Sequence, residues 1–428
     1  MTQANSPSTA RIMVYSHDAF GLGNLRRMLA ICEYLLDCCP HLSVLLVSGS
    51  PMIHAFRLPK GLDYIKLPCL NRDVSGQLSA KYLGTSFEET VALRSHLIQL
   101  SAIHFKPDLL LVDKKPTGLG GELGATLDYL QGNLPNSKCV LLLRDILDAP
   151  EKTVDEWVRW RYYQTIQTYY DQILVVGMQA VFDVVQEYRL PAAIAHKVRY
   201  CGYIHKRAAG QEVEQAEDGN YATPPIQPDL KSTDRLVLVT PGGGEDGYSL
   251  VNTYLAGLKS LAEHPSDLSF HSLILCGPEM PLAQQSQLQQ LAAECSGVTF
   301  RSFTNHLLSY LAAADVVVAM SGYNTVTEIL ALRKQAVVVP RTQPSQEQLI
   351  RATRFAQRGW VTMLHPDKLK GRSLLRAVVT KLANPSCSPS GIDFNGLPQI
   401  CRYLSELLSP PVSSSKRFRD SPLMSLLV

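Results

Sequence analysis

Eight consecutive residues, Ser321-Gly322-Tyr323-Asn324-Thr325-Val326-Thr327-Glu328, have the side chains and the spacing to hold an anion and a diol together. An apolar run, Ala314-Asp-Val-Val-Val-Ala-Met320, precedes them and reads as a buried strand. Apolar positions at Val326, Ile329, Leu330 and Leu332 then predict a helix, and Gln335-Ala-Val-Val-Val-Pro340 predicts the next strand. The small polar turn therefore falls at a helix N-terminus. The first N–H groups there have no partner inside the helix and the helix dipole is positive, so a phosphate is favoured. Gly322 lets a ligand approach the backbone. Glu328 sits about one and a half turns into the helix. Its carboxylate would repel a phosphate at the N-terminus but suits two hydrogen bonds from a neighbouring diol, such as a ribose. The plain alternative is an ordinary strand-to-helix turn with a surface glutamate.

A second loop repeats the arrangement. Arg235-Leu-Val-Leu-Val-Thr240 predicts a strand, Pro241-Gly-Gly-Gly-Glu-Asp-Gly247 a loop, and the residues from about Tyr248 to Leu261 a helix. Backbone N–H groups at Gly243 and Gly244 could cradle phosphate. No Gly-Lys-Ser/Thr follows, so this is not a Walker loop. Glu245 and Asp246 are unusual beside a diphosphate; they suit a sugar hydroxyl or a contact that holds the loop closed.

Ser-Gly-x-x-Thr-Val-Thr-Glu, followed by Val339-Pro340-Arg341 and Gln346-Glu347-Gln348, resembles the donor half of the MurG-like glycosyltransferases, glycosyltransferase family 28. That family includes the GlcNAc transferase of peptidoglycan lipid synthesis and the plastid galactolipid synthases. The resemblance implies an α/β chain of the GT-B fold, two Rossmann-like domains facing each other across a cleft. It puts Ser321, Gly322, Asn324 and Thr325 at the nucleotide phosphates, Glu328 at the ribose hydroxyls, and Gln346, Glu347 and Gln348 at the donor sugar. Glu347 stands where relatives often have another Gln, which leaves the sugar open. The resemblance also sets Gly243 and Gly244 near the donor diphosphate. The segment Phe303-Thr304, ahead of Asn305, would read the nucleobase through backbone groups. The tracts Val112-Asp-Lys-Lys-Pro-Thr-Gly118 and Leu143-Arg-Asp-Ile-Leu-Asp-Ala-Pro150 are similar to a group of predicted bacterial glycosyltransferases. With them the likeness runs over roughly residues 10 to 380.

The chain opens with the same strand–loop–helix–strand logic. Arg11–Ser16 is a strand, His17-Asp18-Ala-Phe-Gly21-Leu-Gly23-Asn24 a turn, Leu25–Leu36 a helix, and Leu42–Val47 the next strand. Ligands bind at the carboxyl ends of such strands, which places His17, Asp18, Gly21 and Gly23 at a site. In the resembled family this loop faces the acceptor and ends in a histidine. Here Asn24 holds that position, and Asn cannot serve as a general base. His17 is the base available in the loop, since a pKa of about 6.5 suits removal of a hydroxyl proton near neutral pH. Its structural alternative is a histidine that stiffens the loop. Arg26 and Arg27 could meet an anionic acceptor or simply face solvent. Asp113, Lys114, Glu122, Arg144 and Asp145 fall at strand ends on the same rim, where a structural ion pair is the plainer expectation for each.

The elements that must position these groups fall into two domains. The expected boundaries are 10–205 for an acceptor-side domain, 206–233 for a linker or mobile loop, 234–385 for a donor domain, and 386–428 for a helix near Leu397–Leu408 and a loose tail. The 428 residues, 46% hydrophobic and 18% charged, supply ample core. A net charge of +3 gives no reason to expect a nucleic-acid partner. The ten scattered cysteines have no CxxC or metal spacing, so a reduced, cytoplasmic chain is expected. No apolar run approaches the ~20 residues that span a bilayer, so any membrane contact would be peripheral, on the inner face. The stretch Lys152–Asp171 interleaves aromatic and basic residues. Helical spacing there places Trp157, Trp160 and Ile166 together as a packed face, with membrane contact as the second option.

The expected activity is inverting transfer of a sugar from a nucleotide-sugar, UDP-linked by resemblance, to an acceptor hydroxyl. His17, or an acidic rim residue such as Asp18, would act as base, and no cofactor or metal would be needed. A nucleotide-sugar 2-epimerase and an inactive nucleotide-sugar-binding scaffold are the alternatives.

Overall fold

Short runs rich in Val, Leu and Ile, alternating with amphipathic helices, can bury both strand faces only in a parallel sheet covered on each side. This happens twice in the chain. A computed structural model describes residues 10–17, 23–72, 78–205, 235–262, 270–304, 306–384 and 390–409. Two units separate: Met1–Lys206 with Asn395–Val428, and Arg207–Phe394. The expected linker and the tail beyond residue 409 lie outside the described residues, as do Asp18, Gly21 and Asn305.

In the first unit the strands are β1 (Arg11–Ser16), β2 (Ser43–Ser48), β3 (Leu62–Lys66), a hairpin of β4 (Leu70–Arg72) and β5 (Leu78–Ala80), β6 (Leu109–Asp113), β7 (Lys138–Arg144), β8 (Gln172–Val176) and β9 (Val198–Tyr200). The main sheet is parallel with order β3-β2-β1-β6-β7-β8-β9. Its helices are α1 (Gly23–Cys38), α2 (Phe87–Phe105), α3 (Gly124–Asn133), α4 (Pro150–Arg159), α5 (Tyr162–Tyr169), α6 (Val184–Glu187) and α7 (Ala192–Ala195). Helix α1 buries Leu25, Met28, Leu29, Cys32, Leu35 and Leu36, the three- and four-residue spacing of one face. It begins two residues earlier than the expected Leu25 because Gly23 and Asn24 join its first turn.

The second unit contains β10 (Arg235–Thr240), β11 (Phe270–Leu275), β12 (Val298–Arg301), β13 (Val316–Ala319), β14 (Gln335–Val338) and β15 (Thr362–Met363). They form a parallel sheet of order β12-β11-β10-β13-β14-β15. Its helices are α8 (Tyr248–Ala262), α9 (Leu282–Ala293), α10 (Leu307–Ala313), α11 (Tyr323–Ala331), α12 (Glu347–Gln357) and α13 (Gly371–Ala383). One core cluster joins Val237, Val239, Val316, Val318 and Val337 of the sheet to Val251, Tyr254, Leu374 and Val378 of the covering helices. A last helix, α14 (Gly396–Leu408), belongs to the first unit. The Gly396 N–H donates to the Tyr203 carbonyl at 3.1 Å, and α14 packs on α1.

The aromatic stretch departs from expectation. Arg161 adopts a left-handed conformation (φ 54°) that breaks it into α4 and α5. Trp157 and Ile166 are buried, and Trp157 meets Tyr163 edge-on at 5.4 Å. Trp160, at the break, is 55% exposed and does not join that face.

Beneath the first sheet's rim sits a buried ionic group. Arg94 donates to Glu122 through Nε (2.5 Å) and Nη2 (2.7 Å), and Tyr15 donates its hydroxyl to Glu122 at 2.5 Å. Burial works against the Arg94 charge, but the hydrogen bonds and charge of Glu122 outweigh it and leave its pKa raised. Removing one partner from such a pair strands the other charge. We expect Glu122→Ala to lower stability by about 3–5 kcal/mol in urea unfolding, with most of the loss recovered in Arg94→Met/Glu122→Leu. Burial, and then Glu122, push the Tyr15 phenol well above its ordinary range. The folded state therefore keeps a proton that the unfolded chain releases near pH 10, so stability is intact below that pH and falls above it. Melting temperature should decline above about pH 10, less steeply in Tyr15→Phe.

Candidate functional site

In the second unit the chain leaves β10 for β11 and β12 on one side, then returns to β13 and β14 on the other. The loops after β10 and β13 diverge at this reversal, and an open α/β sheet binds ligands there. The loop after β10 is Pro241–Gly247; the loop after β13 is Met320–Gly322. Both chemistry-bearing stretches thus lie at one switch point.

The glycine-rich loop is shaped by contacts that exclude side chains. At Gly244 φ is +98°, and a Cβ would lie 2.2 Å from the Cys276 carbonyl oxygen. The Glu279 N–H donates to the Gly243 carbonyl at 2.9 Å, stitching this loop to the one after β11. A Cβ on Gly242 would stand 3.4 Å from Thr325 Oγ1, so the loop runs alongside the first turn of α11.

Gly322 is the N-cap of α11 and makes no side-chain capping bond. The nearest atom to a Cβ there would be Gln348 Nε2 at 3.9 Å, so backbone approach is open. Asn324, Thr325 and Glu328 are half-buried, and offsets of four and three residues place Glu328 on the face of the other two. This face carries the positive N-terminal end of α11 and, one turn from Asn324 and Thr325, a carboxylate.

The remaining donor-side candidates build the floor. Ser321 is fully buried and donates its hydroxyl to the Gln348 carbonyl at 2.7 Å. Gln348 accepts the Arg341 N–H on Oε1 at 3.2 Å. Glu347 is 5% exposed, with Arg351 at 3.2 Å and Arg341 at 3.7 Å. Arg351 also donates to the Ser321 carbonyl at 2.9 Å. Gln346 is exposed at the start of α12. Phe303 is half exposed in the loop after β12, and Thr304 accepts the His306 N–H at 3.0 Å. Arg341 stood in the Val339-Pro340-Arg341 motif without a role of its own, and Arg351 was not singled out. Arg351 could have been found from its four-residue offset to Glu347, an ion-pair spacing on a helix.

The first sheet has its own reversal between β1 and β6. His17 follows β1 and is 5% exposed. Asn24 donates to the His17 carbonyl at 2.6 Å, and Arg27 donates to Asn24 Oδ1 at 3.1 Å and to Asp113 at 2.8 Å. Asn24 therefore positions the backbone of His17. Gly23 and Arg26 are exposed on the first turn of α1. Asp113 and Glu122 are held in the buried ion pairs with Arg27 and Arg94, and Asp145 is buried with Oδ1 on the Ile146 N–H. Lys114 and Arg144 are half-buried at the strand ends. Among the described residues no group of three or more His, Cys, Asp or Glu is placed to hold a metal ion.

Residues 236–390 match the glycosyltransferase family 28 C-terminal domain. A UDP-N-acetylglucosamine–N-acetylmuramyl-(pentapeptide) pyrophosphoryl-undecaprenol N-acetylglucosamine transferase of Desulforudis audaxviator is 25% identical over 177 residues, 38% of this chain and 47% of the relative. An uncharacterized glycosyltransferase of Methanopyrus kandleri is 26% identical over 143 residues, 33% of this chain and 37% of that protein. The chain spans less than half the length of these curated relatives. The structure of Acinetobacter baumannii MurG covers 93% of this chain and 99% of its own at 13% identity, with a TM-score of 0.53. The kitacinnamycin glycosyltransferase covers 94% and 100% at 14% identity, TM-score 0.62. UDP-GlcNAc 2-epimerase of Neisseria meningitidis covers 93% and 99% at 12% identity, TM-score 0.61. The shared architecture is GT-B, two Rossmann-like domains.

Gly244→Ala would force a side chain into the Cys276 carbonyl at a left-handed position. We expect it to cost about 1–3 kcal/mol or more in thermal unfolding and to displace the loop after β10.

Proposed function

We propose that this GT-B chain, with its family 28 C-terminal domain, is an inverting glycosyltransferase that moves a sugar from a UDP-linked donor to an acceptor hydroxyl. The observation that carries the reading lies in the donor unit. The family match covers the unit in which a glycine-rich loop meets the N-terminus of α11, with Glu328 about one and a half turns in. Helix N–H groups and loop N–H groups bind the diphosphate, and Glu328 accepts the ribose hydroxyls. The negative charge on the departing diphosphate grows in the transition state, so fixed N–H donors there lower the barrier. This scheme calls for no metal. The curated relatives' names include a UDP-sugar and a lipid-linked acceptor; we carry over the nucleotide-sugar and the hydroxyl chemistry. No helix among the described residues is long and apolar enough to cross a membrane, so we place a membrane-bound acceptor within reach from the cytoplasmic surface.

His17 is the proposed base. Its carbonyl is held by Asn24, which is held in turn by Arg27 and Asp113. Direct attack by the deprotonated hydroxyl on the anomeric carbon expels UDP and inverts that carbon. An epimerase would need acid–base groups in the donor unit, where the buried carboxylate, Glu347, is tied to Arg351 and Arg341.

Calorimetric titration of a nucleotide panel is the test. UDP should bind wild type, and Glu328→Ala should weaken it by about 1.5–3 kcal/mol, roughly ten- to a hundredfold. Absence of binding by any nucleotide would sink the donor reading. His17→Ala should keep UDP affinity and lose roughly 10²–10⁴ in turnover with a UDP-sugar; unchanged turnover would move the base elsewhere.

A further inference from the structure

We infer that Arg341 is a diphosphate-binding residue that Asp246 holds in reserve: its guanidinium pairs with the Asp246 carboxylate, and the donor diphosphate takes over from that carboxylate. The inference rests on the donor-site reading above and adds to it a residue and an exchange of its partner.

Three observations lead there. First, Asp246 follows β10, Arg341 follows β14, and β13 lies between those strands. An ion pair at 3.2 Å joins Arg341 Nη1 to Asp246 Oδ2. The pair therefore spans the loop after β13, which leads into the N-terminus of α11 at Gly322.

Second, the pair is one-armed. Nη2 of Arg341 lies 3.7 Å from Glu347, and Nε is buried with no hydrogen-bond partner among the described residues. The Arg341 and Asp246 side chains are 30% and 38% exposed. An ion pair this open to water is weak. A guanidinium meets phosphate through two parallel, charge-assisted hydrogen bonds, which are stronger. A phosphate near the α11 N-terminus would attract Arg341 and repel Asp246, so both effects favour the exchange.

Third, only one side of Arg341 is free to change. Its N–H is held by Gln348, and Glu347 is fixed by the fully buried Arg351. Asp246 instead sits in a loop between Gly244 and Gly247, without a side-chain anchor comparable to Glu347. Breaking the pair would therefore release the Asp246 side chain and leave Arg341 beside the phosphates, while the loop backbone stays held by the Glu279 N–H on the Gly243 carbonyl.

The test titrates uridine, UMP and UDP into wild type, Arg341→Gln and Asp246→Asn, with each variant's melting temperature as the check on folding. Arg341→Gln should lose roughly ten- to a hundredfold in UDP affinity and almost none for uridine. Asp246→Asn, at an exposed position, should instead gain about two- to fivefold for UDP by removing the competitor. A UDP-to-uridine ratio in Arg341→Gln equal to that of wild type overturns the inference and leaves the donor reading standing. Weaker UDP binding by Asp246→Asn also overturns it, because the carboxylate would then support the ligand. If wild type binds neither UMP nor UDP, the donor reading and the inference fall together.

Discussion

The fully buried guanidinium of Arg351 is what the donor side of this molecule is built on. A charge removed from water is costly unless it is paired and hydrogen-bonded. Arg351 meets that cost with the Glu347 carboxylate and the Ser321 carbonyl. Those partners belong to the first turn of α12 and to the loop ahead of α11, so the two helix starts are locked together. From this anchor the polar contacts run outward through Glu347 and Arg341 to Asp246. Exposure of the side chains rises along the way, from 0% at Arg351 and 7% at Glu347 to 30% at Arg341 and 38% at Asp246. The inner contacts are therefore rigid and the outer one exchangeable, which is the order a site needs if a ligand is to replace one partner without disturbing the rest.

The first unit uses the same construction. Asp113 ends a wholly buried strand and holds Arg27, which orients Asn24, which fixes the His17 carbonyl. A buried ion pair again sets a backbone segment at the carboxyl end of a central strand. Nearby, Tyr15 and Arg94 saturate Glu122. Carboxylates that look catalytic along the chain are thus committed to structure. Among the described residues just after β1, His17 carries a side chain suited to proton chemistry.

Much of the sheet could be read from the chain because buried parallel strands announce themselves. Leu109–Asp113, Arg235–Thr240 and Val316–Ala319 are short apolar runs between polar turns. The helix after each is marked by three- and four-residue spacing. The strand–turn–helix–strand pattern also located both loops at the sheet's switch point. Reading failed where a long-range contact or a local break decided the outcome. Trp160 has the spacing of a buried residue, but the left-handed Arg161 ends the helix beside it. The contacts that bury Glu347 and Gln348 against Arg351, Arg341 and Ser321 likewise could not be read along the chain.

The amino-acid sequence by itself determined the two α/β units, the strand ends that carry chemistry, and the types of group gathered there. These follow from periodicity and turn composition, which act over a few residues. Only the tertiary structure decided which side chains are spent on structure and which remain available. Arg351 and Arg341 sit near each other on the chain, yet one is a buried pin and the other a half-exposed latch to a residue 95 positions away. That difference comes from where the sheet order brings the loops after β10, β13 and β14, and from how much water each position keeps. No local pattern encodes it, because desolvation depends on everything packed around the group.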